Sequence, residues 1–234
     1  MSNFEVISLD MFQTLVNVNS RIEQIWKPIL QSNYTTQIAE EYAQLLMKNF
    51  LTHWIEIRKT GQFYLISEVF ERSFKDLFNE KAISYNTGEA VRNLFQEHTL
   101  SHFYDETVAF LESISKKYKV CIVSDADDAM VPNFYERYGL HLFTSEQYQS
   151  YKNDDSNIMF KELLKFYDIE PKKVLHVGDS TSDIIGANRE GIVTCWINRN
   201  KSTWEHEVRP DYIIESLNEI EEILLAVRGS GPIR

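Results

Sequence analysis

The feature that most constrains the fold is a series of short apolar segments, most of which end at a polar residue. Residues 4–9 have the pattern of a buried strand, and Asp10 follows directly. From Lys117 onward, strand-like and helix-like segments alternate with short connections, which predicts right-handed crossovers and a parallel sheet. The later strand-like segments are residues 118–124, 142–145, 173–178, 192–197 and 212–214. We therefore expect an α/β fold with a Rossmann-like parallel sheet core.

A long helical segment follows the first strand. From residue 20 to about residue 96 the apolar side chains recur at helical spacing, and no convincing strand interrupts them. Candidate breaks between these helices lie at Pro28, residues 33–36, Gly61 and Gly88. We expect a core domain of residues 1–16 and 101–228, with a helix over residues 129–138. A helical-bundle domain is expected over residues 17–100, and a flexible tail over residues 229–234.

Charge and composition limit the possible partners. The 234 residues carry a formal net charge of −11, which argues against nucleic acid or an anionic membrane surface as a partner. Cys121 and Cys195 lie in apolar segments and are expected to be free buried thiols. The first residues lack the pattern of a secretion signal, and no apolar run of about 18 residues is present. These features predict a cytoplasmic protein and carry no signal for an oligomeric state.

Polar residues gather where several predicted strands end. Because ligands of open α/β sheets bind at the carboxyl ends of the strands, we expect these residues to share one site. They are Asp10, Thr14, Ser124, Asp125, Lys152, Asp179 and Asp183.

Four segments that contain these residues resemble the motifs of the haloacid dehalogenase superfamily of hydrolases, in the same order. They are Leu-Asp-Met-Phe-Gln-Thr-Leu at 9–15, Ile-Val-Ser-Asp at 122–125, Ser-Tyr-Lys at 150–152 and His-Val-Gly-Asp-Ser-Thr-Ser-Asp-Ile-Ile-Gly-Ala at 176–187. Trp-Ile-Asn-Arg at 196–199 is similar to the dehalogenase-like branch of that superfamily. The resemblance covers nearly the whole chain and implies that the helical insertion is a cap domain.

The resemblance also implies a role for each residue. Asp10 would be the nucleophile, which forms an aspartyl-phosphate with a phosphate ester, and Thr14 belongs to the same catalytic segment. Ser124 would donate a hydrogen bond to a phosphate or carboxylate oxygen of the substrate, and Lys152 would neutralise charge on substrate and nucleophile. The residues expected to contact the substrate are Gln13, Ser124, Asp125 and Lys152.

By the same resemblance the cofactor is Mg²⁺, held by Asp10, Asp179 and the backbone carbonyl of Phe12. Hard oxygen ligands are those that Mg²⁺ prefers. Asp183 would support the metal through water or orient Lys152.

Purely structural interpretations remain open for three of these residues. Ser124 could cap a helix, Lys152 could be a solvated loop lysine, and Asp183 could interact with a helix dipole. Asp179 is harder to explain in this way. A carboxylate that follows a buried strand and lies beside Asp10 is costly without a cation.

Phe12 departs from the pattern of the superfamily's phosphatases, which carry a second Asp there as general acid and base, and Gln13 replaces a usual glycine. Phenylalanine transfers no proton, and loss of a general acid typically costs about 10²–10⁴-fold in rate. Because Asp10 and Asp179 would repel one another in a site without metal, we nevertheless predict a Mg²⁺-dependent phosphatase of a small phosphorylated metabolite. It would act only on substrates with good leaving groups, or the substrate or the cap domain would supply the general acid.

Two alternatives to this prediction remain. The superfamily's haloacid dehalogenases have an aromatic residue at position 12, and halide leaves without a proton. The chain would then be a 2-haloacid dehalogenase that acts on a halogenated substrate through an ester on Asp10. Alternatively, it is a catalytically weakened phosphate-binding or regulatory protein.

Overall fold

The computed structural model of the protein describes residues 4–229. In chain order its strands are β1 (Val6–Leu9), β2 (Val16–Asn17), β3 (His102–Phe103), β4 (Lys119–Ser124), β5 (His141–Thr144), β6 (Val174–Gly178), β7 (Val193–Ile197) and β8 (Tyr212–Ile214). Six of them form one sheet in the order β5-β4-β1-β6-β7-β8, with every neighbouring pair parallel. The predicted α/β fold with a Rossmann-like parallel sheet is confirmed.

The central strands of the sheet are buried on both faces. All residues of β1 and β6 are buried, as are those of β4 after Lys119. This burial explains why these segments read as nearly continuous apolar runs. Leu9 at the end of β1 lies beside Ile122 of β4 and Val177 of β6. The residues that follow these three strands therefore emerge at one edge of the sheet.

The helices are α1 (Ile22–Leu30), α2 (Thr36–Thr60), α3 (Ile66–Lys81), α4 (Thr87–Thr99), α5 (Thr107–Ile114), α6 (Phe134–Arg137), α7 (Ser145–Tyr148), α8 (Ile158–Tyr167), α9 (Thr181–Arg189) and α10 (Ile220–Gly229). The prediction of one helix over residues 129–138 was wrong. The segment forms a 3₁₀ turn at Asp128–Met130 and the short α6. Pro132 separates them, because Val131 before it is extended, with ψ of 124°.

Helices α1–α4 pack together and are hereafter called the helical unit (Ile22–Thr99). Its interior is aromatic, with Trp26 and Phe74 fully buried and their ring centroids 6.0 Å apart. Pro28, predicted as a break, lies inside α1. Proline has no N–H to bond the carbonyl of Gln24, which instead lies 3.4 Å from the side-chain amide of Asn93.

The antiparallel pair of β2 and β3 marks the two ends of the helical unit, because it pairs the residues just before it with those just after it. Within residues 4–229 no helix is both long and apolar enough to cross a membrane. Of the predicted flexible tail, residues 230–234 lie outside the described residues.

Candidate active site

Asp10 lies directly after β1, at the centre of the sheet's carboxyl edge. Its backbone N–H donates to the carbonyl of Val177, 2.8 Å away, and its side chain is almost fully buried. Oδ1 of Asp10 accepts a hydrogen bond from Lys152 Nζ at 2.7 Å and a longer one from Ser124 Oγ at 3.4 Å. Three segments far apart in the sequence thus meet at one carboxylate oxygen.

Lys152 reaches Asp10 from a loop between α7 and α8. Its Nζ also lies 2.5 Å from Oδ1 of Asp183, and the side chain is 4% exposed. Its backbone N–H donates to Oδ1 of Asp125 at 2.8 Å, so Asp125 holds the lysine's backbone. Burial alone would lower the pKa of Lys152, but the charges of Asp10, Asp183 and Asp125 outweigh burial and raise it. The ammonium is therefore charged at neutral pH.

Asp183 is fixed from several sides in the first turn of α9. Its Oδ2 accepts hydrogen bonds from the N–H (2.9 Å) and hydroxyl (2.6 Å) of Ser180, the residue that caps the helix. Its Oδ1 lies 3.1 Å from Nε2 of His176, whose Nδ1 lies 2.8 Å from the Ser8 hydroxyl. Burial would raise the pKa of Asp183, but Lys152 and His176 outweigh burial and lower it. Asp183 is therefore a permanent anion.

Asp179 completes a cluster of three carboxylates. Asp10, Asp179 and Asp183 each have an oxygen within 4.8 Å of the others. Burial raises the pKa of Asp10 to about 7, although Lys152 opposes this, and burial with repulsion from Asp10 raises the pKa of Asp179. One lysine does not balance three carboxylates, so the cluster has the charge and the hard oxygen donors that suit a divalent cation.

The backbone after Asp10 turns sharply at Gln13, which has φ of +61°. This left-handed region favours glycine, which explains why glycine is usual there in the resembled family. Here the turn is held by side-chain contacts, since Oε1 of Gln13 accepts a hydrogen bond from the Tyr104 hydroxyl at 2.7 Å. Thr14 is buried, and within the described residues its Oγ1 has no hydrogen-bond partner.

Phe12 directs its ring toward the helical unit. The ring centroid lies 5.6 Å from that of His98 in α4, and burial lowers the pKa of His98 to about 4. At neutral pH, therefore, neither ring carries a charge. The position that holds a second Asp in phosphatases of the resembled family is apolar here.

Arg199, after β7, fastens the segment that follows Asp10. Its guanidinium donates to the backbone carbonyl of Thr14 at 2.9 Å, forms an ion pair with Glu106 at 2.7 Å and lies 3.7 Å from the centroid of the Tyr104 ring. The sequence identified Arg199 only as part of a motif, without a role. The structure indicates that it positions residues 13 and 14.

An open groove leads from this site along the helical unit. It has a volume of about 830 Å³ and runs between Gln13 and Asn19 on one side and α2 on the other. A second, polar pocket of about 260 Å³ shares Gln13 and Asn19 and reaches Asp179. Apolar side chains of α2 line the groove together with the cation Lys48 and the anion Glu40; the apolar ones include Met47, Leu51 and Ile55.

The structure brings most of the residues predicted from the sequence together. The cluster contains Asp10, Ser124, Lys152, Asp179 and Asp183, with Asp125 behind Lys152 and Gln13, Thr14 and Phe12 in the adjoining turn. Sequence reasoning gave no role to His176, although it lies in the motif quoted above. Its polar side chain within a buried strand was the available signal, since a buried polar group needs partners.

Gly186 in α9 allows the closest approach of that helix to the Lys152 loop. A Cβ there would lie far inside van der Waals distance of the Lys152 carbonyl oxygen, a backbone atom. We expect Gly186→Ala to displace the loop, lower the free energy of unfolding by about 1–3 kcal/mol and lower activity. Chemical denaturation measures the first effect. Gly88→Ala in α4, whose nearest neighbour is a side-chain oxygen at 3.3 Å, is the control, and equal effects of both changes would contradict the expectation.

Comparisons with known proteins show the family to which the chain belongs. Residues 4–191 match the family of haloacid dehalogenase-like hydrolases. The chain is 29% identical over 123 residues to pyrimidine 5′-nucleotidase YjjG of Escherichia coli (strain K12), a match that spans 50% of this chain and 54% of that protein. It is 24% identical over 231 residues to pyrimidine 5′-nucleotidase PynA of Streptococcus pneumoniae (strain ATCC BAA-255 / R6), covering 94% and 95% of the two chains.

Among solved structures, the HAD-hydrolase YfnB from Bacillus subtilis, bound to magnesium, superposes with a TM-score of 0.80. The sequence identity is 17%, and the match covers 94% of this chain and 98% of that one. At this identity the likeness shows the fold. The family match covers well over half of the chain and includes Asp10, Lys152, Asp179 and Asp183. The protein therefore belongs to the haloacid dehalogenase-like hydrolases and is a hydrolase.

Proposed function

We propose that the protein is a Mg²⁺-dependent phosphatase of a small phosphorylated metabolite, with Asp10 as the nucleophile. The observation that carries the proposal is the cluster of three carboxylates with oxygens within 4.8 Å of one another, of which one buried lysine pairs with only two. A substrate phosphate adds nearly two further negative charges, which a lysine alone does not neutralise.

The residues present fit Mg²⁺. Asp10, Asp179 and the Phe12 carbonyl would hold the ion, and Asp183 would support it through water while it orients Lys152. When bound, Mg²⁺ supplies positive charge that offsets the charge of the phosphate and of the carboxylates. The magnesium in the YfnB structure supports this choice of metal.

In the proposed reaction, a carboxylate oxygen of Asp10 attacks phosphorus. A P–O bond forms as the bond from phosphorus to the leaving oxygen breaks, and the leaving group departs with that electron pair. Water then attacks the same phosphorus, and the bond from phosphorus to the Asp10 oxygen breaks, so that the carboxylate of Asp10 leaves with the electron pair and the protons of the water stay with the inorganic phosphate or pass to solvent. Lys152 and Ser124 are placed to stabilise the charge that develops on the phosphoryl oxygens.

The helical unit would act as a cap over the leaving group. The groove between Gln13 and α2 has apolar side chains with both Lys48 and Glu40, which suits a small molecule with an apolar surface and polar groups. The names of the relatives YjjG and PynA make pyrimidine 5′-nucleotides candidates. Phe12 supplies no proton, so acyl and aryl phosphates are expected to react faster than alkyl esters.

Hydrolysis assays with and without Mg²⁺ test the proposal. The substrates are an aryl phosphate, an acyl phosphate and a pyrimidine 5′-nucleotide, and chloride release from 2-chloropropionate is measured in parallel. We expect Mg²⁺-dependent phosphate release, fastest for the acyl and aryl phosphates. Binding of phosphate with no turnover of any substrate would favour the alternative of a binding or regulatory protein.

A dehalogenase remains the second candidate, and Phe12 is the observation that favours it. Its ring is apolar and lies against His98 where phosphatases need a proton donor, whereas halide leaves without a proton. A halocarboxylate carries one negative charge, which Lys152 can neutralise alone. Metal-independent chloride release without phosphate release would establish this function and make Asp179 a structural residue.

The missing acid can be tested by Phe12→Asp. A carboxyl group there would lie beside His98 and could protonate the leaving oxygen. We expect the rate of phosphoryl transfer from alkyl phosphates to Asp10 to rise by about 10²-fold, the lower end of the range of general acid catalysis, with less gain for aryl phosphates. Phe12→Asn, which adds a polar group without the acid, is the matched control. An equal gain in both variants would contradict the proposed role.

A further inference from the structure

The loop that carries Lys152 is held by the helical unit on both sides of the lysine. Before it, the Tyr151 hydroxyl donates to the backbone carbonyl of Tyr64 at 2.6 Å and accepts from the N–H of Tyr64 at 2.9 Å. After it, the carbonyl of Asn153 accepts a hydrogen bond from Arg58. Tyr64 lies in the connection between α2 and α3, and Arg58 lies in the last turn of α2. The helical unit therefore contacts the loop through α2 and through the connection after it.

Aromatic packing reinforces these hydrogen bonds. The Tyr151 side chain is buried, with its ring centroid 4.3 Å from that of Trp54 and 5.0 Å from that of Phe63. Both neighbours belong to the helical unit. Close to the loop, the Asp127 carboxylate accepts hydrogen bonds at 2.7 and 2.8 Å from the N–H groups of Ile66 and Ser67 at the start of α3. These contacts hold the helical unit beside the loop that carries Lys152.

The loop has no regular helix or strand of its own between residues 150 and 157. From the sheet side it is held by the bond from the Lys152 N–H to Asp125 and by Arg189, which donates to Oδ1 of Asn153. These contacts fix the backbone of the loop. Within the loop the Tyr151 N–H donates to Oδ2 of Asp154 at 2.9 Å, and the Tyr151 hydroxyl links this turn to Tyr64, 87 residues away in the sequence.

We propose that Tyr151 is a positioning residue, which makes the placement of Lys152 at Asp10 depend on docking of the helical unit. The proposal rests on the catalytic role of Lys152 proposed above. A substrate that binds in the groove and brings α2 closer to the sheet would also position Lys152, through Tyr151. The helical unit then covers the leaving group and controls the charge that acts on the phosphate.

The test is Tyr151→Phe, which keeps the ring and removes both hydrogen bonds to Tyr64. We expect kcat to fall by about tenfold, the effect of losing one or two such bonds, with a smaller change in KM. Tyr148→Phe, three residues earlier with its ring stacked on Phe143, is the matched control and should keep wild-type kcat. Arg58→Ala, which frees the other side of the loop, should lower kcat in the same direction.

A second readout does not depend on turnover. The buried, ion-paired Lys152 should react slowly with an amine-selective acylating reagent, and mass spectrometry of the labelled peptides measures its rate. We expect Tyr151→Phe to accelerate labelling of Lys152 about tenfold, while the exposed Lys165 reacts at the same rate in both proteins. Faster labelling supports the positioning role even if no phosphatase activity is found. A fall in kcat with Lys152 still protected, or wild-type values of both, would overturn it.

Discussion

Asp10→Asn is expected to lower phosphate release by about 10⁴-fold or more, because it removes the proposed nucleophile. The fold should survive, since asparagine has nearly the same shape and Lys152 keeps its ion pair with Asp183 at 2.5 Å. Burial and the charge of Asp183 disfavour the ionised form of Asp10. A neutral side chain at this position therefore recovers part of the free energy that is lost with the Lys152 contact. Steady-state hydrolysis and thermal unfolding measure the two effects separately.

Asp76→Asn, on the exposed surface of α3, is the control for this change. Its carboxylate is about half exposed and contacts His53 at 2.7 Å, and the variant should keep full activity. An Asp10→Asn protein that retains its rate would refute Asp10 as the nucleophile. A variant that loses activity only because it unfolds would be recognised by its melting curve.

Lys152→Met should be the most destabilising single change at the site. It leaves Asp10 and Asp183 buried without their shared cation, and breaking a buried pair in this way costs about 3–5 kcal/mol. We also expect catalysis to be lost, because no other cation of the chain is bonded to Asp10 within the described residues. Urea unfolding measures the stability. Lys165→Met removes an exposed pair and should cost less than about 1 kcal/mol.

The deficit of Lys152→Met should depend on pH in a defined direction. Burial raises the pKa of Asp10 to about 7 even though Lys152 opposes the rise, so in the variant this pKa is higher still, and protonation of Asp10 as the pH falls removes one of the two uncompensated charges. The deficit is therefore expected to be larger at pH 8 than at pH 5. A pH-independent deficit would show that the lysine stabilises the protein by packing and not by its charge.

Local sequence signals were sufficient to predict the sheet and the edge at which the candidate site lies. Asp10 and Asp179 each follow a buried apolar strand, and parallel topology alone brings such positions together. The prediction of a helix over residues 129–138 was wrong because it relied on the apolar spacing and ignored Pro132. The local signal against this helix, a proline, was present in the sequence.

The remaining parts of the site depend on contacts between distant segments. Tyr151 and Tyr64 are 87 residues apart, and the Arg199 guanidinium contacts Thr14 across 185 residues. No local pattern predicts such pairs, because they are set by how the helical unit and the strand connections pack. From the sequence of its strand alone, His176 would be predicted to be a core residue. Its contacts with Ser8 and Asp183 appear only when β1, β6 and α9 are assembled.

The measurement that tests the central claim most directly is mass spectrometry of the peptide that contains Asp10, after rapid acid quench during turnover of an acyl phosphate with Mg²⁺. Phe12 cannot activate water, so hydrolysis of the aspartyl-phosphate should be slow and the adduct should accumulate. We predict a phosphoryl group on Asp10 that disappears in Asp10→Asn and declines in Phe12→Asp. Rapid phosphate release with Asp10 unmodified at every quench time would contradict the account.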